Sequence, residues 1–155
     1  MIIATFNPKG GVGKTTTAVN LGAVLADIGK SVLVVDLEAD LNSSISLGIR
    51  RRDRQRSIVD VLLHECRPSD AIRPIAGFEN LSVIAGSPAL AQMDQSMRNI
   101  RQPERRLSDV LRPLERQFDV LVLDAPAGFG IINTSVPLAA QHLVVPIRAE
   151  YLGLE

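Results

Sequence analysis

The chain predicts an α/β fold built on a mostly parallel sheet of about five strands flanked by helices. Unbroken apolar runs recur along its 155 residues, and such runs mark strands covered on both faces. Segments with apolar residues at helical spacing separate them. A Gly-rich turn joins the first run to the first helical segment.

Ile2-Ile3-Ala4-Thr5-Phe6 is the first strand. Residues 15–28 form a helix, with Val19, Leu21, Val24, Leu25 and Ile28 at helical spacing and Gly29 as its stop. Residues 31–36 are a second strand, apolar throughout and ending in Asp36. Residues 37–56 read as loop. Ser57 caps a short helix through about Glu65 that turns Ile58, Val61 and Leu62 inward. Pro68-Ser69-Asp70 opens another short turn of helix. Residues 81–85, closed by Gly86, are the third strand, and a helix begins within 87–98. Pro103 suits the first turn of a helix that carries Leu107, Val110, Leu111 and Leu114 on one face, and Pro113 kinks or ends it. Residues 119–124 are the fourth strand, again closing on an acid, Asp124. Residues 131–140 are helical and 142–147 are the fifth strand. No repeat, low-complexity tract or linker divides the chain, so residues 1–155 read as a single domain.

Composition narrows the function classes. Aromatics are only 3%, so the core is aliphatic. Seventeen basic residues balance 17 acidic ones, which gives no global attraction to nucleic acid or membrane. Cys66 is the only cysteine, which excludes a disulfide framework and a cysteine-ligated metal site within one chain. The leading apolar stretch is too short for a signal peptide or a membrane span. The expectation is a soluble, cytoplasmic protein without a membrane span.

Residues 7–17 read Asn-Pro-Lys-Gly-Gly-Val-Gly-Lys-Thr-Thr-Thr. A strand that feeds such a turn, and then a helix, aims several backbone N–H groups and a helix N-terminus at one spot, which suits a phosphate chain. Gly10, Gly11 and Gly13, with Val12 among them, let the backbone come close to the ligand. Lys14 reaches the β/γ-phosphates and the Thr15 hydroxyl ligates Mg²⁺. The pattern G-x-x-x-x-G-K-[ST] is met except at its first position, which holds Pro8, and an extra lysine, Lys9, stands inside the loop. The segment therefore predicts a P-loop that binds a nucleoside triphosphate.

In an open α/β sheet, ligands sit at the carboxyl ends of the strands. Asp36 and Asp124 both fall at such ends. Asp124, followed by Ala-Pro-Ala-Gly, reads as a Walker-B acid that holds the Mg²⁺ shell through water, and Asp36 does the same from the second strand. Strand-end Asp residues also cap turns, the competing reading for both.

With these segments placed, the chain resembles the ParA/MinD family of deviant Walker-A ATPases, its ParA branch above all. The resemblance rests on Asn7 to Thr17, on residues 34–42, on Phe118 to Gly128, and on residues 145–155, which look like the ParA pattern P-[VI]-x-x-E-Y-x-x-L-E-G. It implies that Lys9 is the signature lysine that crosses an ATP-bound homodimer to the partner's phosphates. It implies that Lys14 and Thr15 hold phosphate and metal, that Thr16 serves the α-phosphate side, and that Asp36 and Asp124 are the two acids around the metal. Glu38 stands where the family has an Asp in a D-x-D-P-Q-G-N segment, an acid that helps position the attacking water. One methylene shifts that carboxylate, so the expectation is slow hydrolysis without an activator. Family members run further. The part beyond Glu155 normally supplies the remaining strands, the adenine contacts and the DNA- or membrane-binding surface.

The other candidates are weaker. Five of the 14 arginines lie between positions 50 and 56, a run that either grips DNA phosphates or forms a solvated loop with Asp53. Arg98, Arg101, Arg105, Arg112 and Arg116 are interleaved with Glu104, Asp109 and Glu115, which favours a salt-laced surface. His64 and His142 lack partners at ligand spacing. Asn42 and Asn133 match polar positions of the ParA pattern. The first reading is thus a Mg²⁺-dependent ATPase whose ATP-driven dimerisation controls binding to non-specific DNA and to a centromere-binding activator. The alternatives are an ATP-gated scaffold or regulator with little hydrolysis, and a MinD-like positioning ATPase.

Overall fold

The computed structural model describes residues 1–50 and 56–149. Arg51, Arg52 and Arg54 of the basic run, and residues 150–155 of the tail pattern, lie outside the described residues. Among the described residues six strands form one sheet: β1 (Ile2–Thr5), β2 (Val32–Asp36), β3 (Ile72–Pro74), β4 (Leu81–Ile84), β5 (Val120–Asp124) and β6 (His142–Val144), in the order β3-β4-β2-β5-β1-β6. All neighbours pair in parallel except β3 with β4. The five expected strands are all present, and β3 is an additional antiparallel edge. Its three residues end in a proline, which a sheet tolerates at an edge.

Full burial of β2 and β5 explains their unbroken apolar sequences. Alternate residues serve opposite faces. Leu33, Val35, Leu121 and Leu123 join one cluster with Ile58, Leu62, Leu107, Leu111 and Val136. Val32, Val34, Val120 and Val122 join the other with Ala18 and Ala26. Burying one such Leu or Val side chain stabilises the fold by roughly 1.5–3 kcal/mol.

The helices are α1 (Lys14–Asp27), α2 (Asn42–Ser46), α3 (Ile58–Leu62), α4 (Met93–Ser96), α5 (Arg106–Leu111) and α6 (Ile131–Ala139). The buried residues of α1 are Lys14, Ala18, Gly22 and Ala26, whereas Val24 and Ile28 are exposed. Small residues let this helix lie close on the sheet: a Cβ on Gly22 would meet the Val34 Cγ2 methyl at 2.8 Å. Ser57 caps α3 as expected, and the structure adds Asp60 as its partner in a capping box. The α-helical part of α5 stops at Leu111, and Pro113 continues it only as a tight 3₁₀ turn. Within residues 37–56, read as loop, α2 makes one short turn. No described helix is long and apolar enough to cross a membrane.

Strand order places the site. The chain starts in β1, steps to β2, moves outward through β4, and returns to insert β5 between β2 and β1. Connections therefore diverge above β1, β5 and β2, and a crevice opens at their carboxyl ends. The Gly-rich loop leaves β1 there, and Asp36 and Asp124 lie directly opposite each other in the β2–β5 register.

Candidate functional site: a phosphate loop beside two buried carboxylates

Pro8 to Gly13 curl over the end of β1. The Asn7 side chain fixes the start of the turn: its Oδ1 accepts the Lys9 N–H at 2.9 Å, and its Nδ2 donates to the Pro146 carbonyl at 3.0 Å. Gly11 (φ 72°) and Gly13 (φ 98°) are left-handed, a conformation that costs glycine little. Gly13 is the N-cap of α1 and has no side chain to close that helix end. The first N–H groups of α1 thus face the hollow of the loop. Lys14 is buried, and its ammonium donates to the Lys9 carbonyl at 3.1 Å, so the chain loops over its own lysine. Thr15 is half-buried and Thr16 exposed on the first turn of the helix.

Both carboxylates are fully buried. Asp36 accepts the Glu38 N–H on Oδ1 at 3.0 Å, and the Ser44 N–H and hydroxyl on Oδ2 at 2.8 and 2.6 Å. Asp124 accepts the Ser43 hydroxyl on Oδ2 at 2.6 Å and the Thr5 hydroxyl on Oδ1 at 3.4 Å, and it also accepts from the Thr15 side chain. Burial raises both carboxyls above the ordinary range, with Asp124 pushed up to about 6; the Ser43 and Thr15 hydroxyls oppose that rise, and the nearby charges of Asp36 and Glu38 add to it. A pocket that makes two neighbouring acids costly to ionise suits a cation. Among the described residues no cluster of three or more His, Cys, Asp or Glu forms a closed metal cage.

The loop after β5 closes the site. The Gly128 N–H donates to the Pro8 carbonyl at 2.8 Å, and the Ala127 N–H donates to Glu38 Oε1 at 3.0 Å. Asn133, from the first turn of α6, donates to the Pro126 and Gly128 carbonyls at 3.0 and 2.5 Å, while its own Oδ1 is buried without a hydrogen-bond partner. Glu38, Asp94, Phe129 and Asn133 line a cleft of about 270 Å³ beside this loop. The structure thus brings Lys9, Lys14, Thr15, Asp36, Glu38 and Asp124 to one end of the sheet. His64 and Cys66 lie apart from it, near α3. Sequence reasoning missed Ser43 and Ser44, whose partners are distant in the chain or fixed only by the fold. It placed Asn133 only by resemblance.

A strand, a glycine loop closing on a buried lysine, and two acids at the neighbouring strand ends define a P-loop α/β domain. The chain belongs to the AAA_31 family, described as an AAA domain, whose model matches residues 1–155. It is 38% identical over 154 residues to the sporulation initiation inhibitor protein Soj of Bacillus subtilis, a match that covers 99% of this chain and 60% of that protein. It is 35% identical to the chromosome partitioning protein ParA of Myxococcus xanthus, covering 99% of this chain and 54% of that one. Among solved structures, cobyrinic acid a,c-diamide synthase from Mycobacterium smegmatis, with bound ATP analogue and magnesium, superposes with a TM-score of 0.91 at 32% identity, over 97% of this chain and 61% of the other. The chain spans about 60% or less of the length of these curated relatives.

Proposed function

We propose that residues 1–155 form the nucleotide-binding domain, partial relative to its relatives, of a cytoplasmic, ParA-like, Mg²⁺-dependent ATPase that acts in plasmid or chromosome segregation. One observation carries the reading: the glycine loop and Lys14 stand beside two buried carboxylates, one of which is hydrogen-bonded to Thr15. Relatives named for chromosome partitioning support it.

In this reading the backbone of Gly10, Gly11, Val12 and Gly13 holds the β- and γ-phosphates, and Lys14 leaves the Lys9 carbonyl to pair with them. Thr16 serves the α-phosphate. The Thr15 hydroxyl, Asp36 and Asp124 would hold Mg²⁺. When bound, that cation would supply neutralisation of the phosphate charge that phosphoryl transfer to water requires. Glu38 orients that water from the edge of the cleft. Lys9 completes the site of a second copy, so ATP binding and homodimerisation are linked equilibria. The dimer binds DNA and a centromere-binding activator, which raises a slow basal turnover.

The second reading, an ATP-gated regulator with little hydrolysis, is favoured by Glu38 itself. Its carboxylate accepts the Ala127 N–H, an interaction that competes with holding water. Turnover measured with and without DNA, together with the size of the chain with and without a slowly hydrolysed ATP analogue, separates the two. An ATP-dependent shift from monomer to dimer that Lys9→Ala abolishes supports the trans role; unchanged size with bound nucleotide overturns it.

A further inference from the structure

Two consecutive serines of one short helix each hold a different acid of the site. Ser43 Oγ donates to Asp124 Oδ2 and Ser44 Oγ to Asp36 Oδ2, both at 2.6 Å. That length is typical of a hydroxyl bonded to an ionised carboxylate. Both serines are fully buried, in a polar pocket that also holds Thr5, Lys14, Asp36 and Asp124. A hydroxyl has one proton, so each serine commits its only donor to one carboxylate oxygen. Ser44 is fixed in turn, because its Oγ accepts the Gly86 N–H at 3.2 Å.

The helix that carries them is bracketed by left-handed residues, Leu41 (φ 60°) before it and Gly48 (φ 86°) after it. For leucine that backbone is sparsely populated and persists only where surroundings impose it. Leu41 is itself buried. The backbone therefore turns sharply at both ends of α2, and the turn delivers Ser43 and Ser44 to two carboxylates on neighbouring strands.

We propose that Ser43 and Ser44 are positioning residues of the divalent-cation site, orienting Asp124 and Asp36 from α2 and so coupling cation occupancy to the placement of residues 41–48. This rests on the P-loop reading above. A carboxylate offers about four lone-pair positions. On Asp124, Ser43 takes one and Thr15 another, and the Thr5 hydroxyl, shared with the Leu123 carbonyl at 3.3 Å, lies 3.4 Å from Oδ1. Without Ser43 the Asp124 carboxylate is free to turn about its last torsion. Outer partners that orient metal-binding groups typically account for about 10–100-fold in metal affinity.

The test titrates Mn²⁺, followed by electron paramagnetic resonance, into the ATP-analogue-saturated full chain. Nucleotide affinity in chelator is measured in parallel. Ser43→Ala should weaken Mn²⁺ about 10–100-fold, leave chelator-measured nucleotide affinity unchanged, and be rescued by Ser43→Thr, which keeps the hydroxyl. A folded Ser43→Ala variant that binds Mn²⁺ like the parent overturns the proposal. If Ser43→Ala does not fold, Ser43→Cys replaces it, since a thiol is a weak donor; equal Mn²⁺ affinity of the Cys and Thr variants overturns the proposal equally. A parent chain that binds no nucleotide defeats the P-loop reading, whereas normal nucleotide binding with an indifferent Ser43→Ala defeats only the serine assignment.

Discussion

Gly86 follows β4 and abuts the backbone that carries both Asp36 and Glu38. A Cβ built on it would lie 2.6 Å from the Glu38 carbonyl oxygen, 3.2 Å from Asp36 Cγ and 3.3 Å from the Asp36 carbonyl oxygen. Ordinary contact begins at 3.4 Å, so in Gly86→Ala the Glu38 carbonyl must retreat by roughly 3.4 − 2.6 = 0.8 Å. No side chain can rotate out of the way, because two of the three obstructing atoms are backbone and the third belongs to a carboxylate held by Ser44. Overpacking of this kind costs about 1–3 kcal/mol. At about 2–4 °C per kcal/mol for a chain of this size, the melting temperature should fall by about 2–12 °C. The same retreat displaces Asp36 and Glu38, so cation affinity should fall with it. Gly10→Ala is the control. Its Cβ would come no nearer than 4.0 Å to any atom, the Ala127 Cβ, and its φ is outside the left-handed region. It should melt like the parent, within about 0.5 kcal/mol, and still bind triphosphate less well because the added methyl stands between backbone and ligand. Calorimetric melts in chelator read the first effect and nucleotide titration the second. Equal melting temperatures for Gly86→Ala and the parent would refute the close packing of β4 against the acids.

Three further outcomes follow from the same geometry. Burial holds the Asp124 carboxyl at about 6 against an ordinary 3.8, so the folded chain binds that proton more tightly than the unfolded one. Its contribution to stability is full below the ordinary value and is lost as pH rises through about 6, a change of about 3 kcal/mol; in chelator, Asp124→Asn should flatten the stability–pH curve across that window, and parallel curves contradict the assignment. Lys14→Ala removes a buried ammonium bound to the Lys9 carbonyl; losing its charge-assisted contacts to phosphate should weaken nucleotide binding about 10–100-fold, and unchanged affinity by titration contradicts the role. Glu38→Ala should lower ATP turnover by about 10²-fold or more if Glu38 places the attacking water, while Glu38→Asp, which restores the shorter acid, should raise it; steady-state kinetics in which neither variant moves turnover remove Glu38 from the chemistry.

Much of the site was legible because its signals are local. The Gly10–Lys14 loop, the apolar runs ending in Asp36 and Asp124, the Ser57 cap, and the stop at Pro113 all lie within a few residues of the structure they specify. What escaped the sequence is non-local. The Ile72–Pro74 strand has three residues and a proline, too few for a period, and forms only because β4 offers an edge. Helix α2 shows no apolar stripe, and Ser43 and Ser44 look like loop residues until the fold brings Asp124, 81 positions from Ser43, within 2.6 Å. The spacing of larger apolar residues marked α1 as a helix, and Leu21 and Leu25 do pack against the core, but Ala18, Gly22 and Ala26 make its closest approach to the sheet, since crowding against Val34 rewards small side chains.

The most direct measurement is a calorimetric titration of ATP into the folded chain, once with Mg²⁺ and once with chelator. Saturation at one nucleotide per chain, markedly tighter with Mg²⁺ and lost in Lys14→Ala, is the predicted result. A folded chain that gives no binding heat, or binds equally well with and without the cation, contradicts the account of a phosphate loop working beside Asp36 and Asp124.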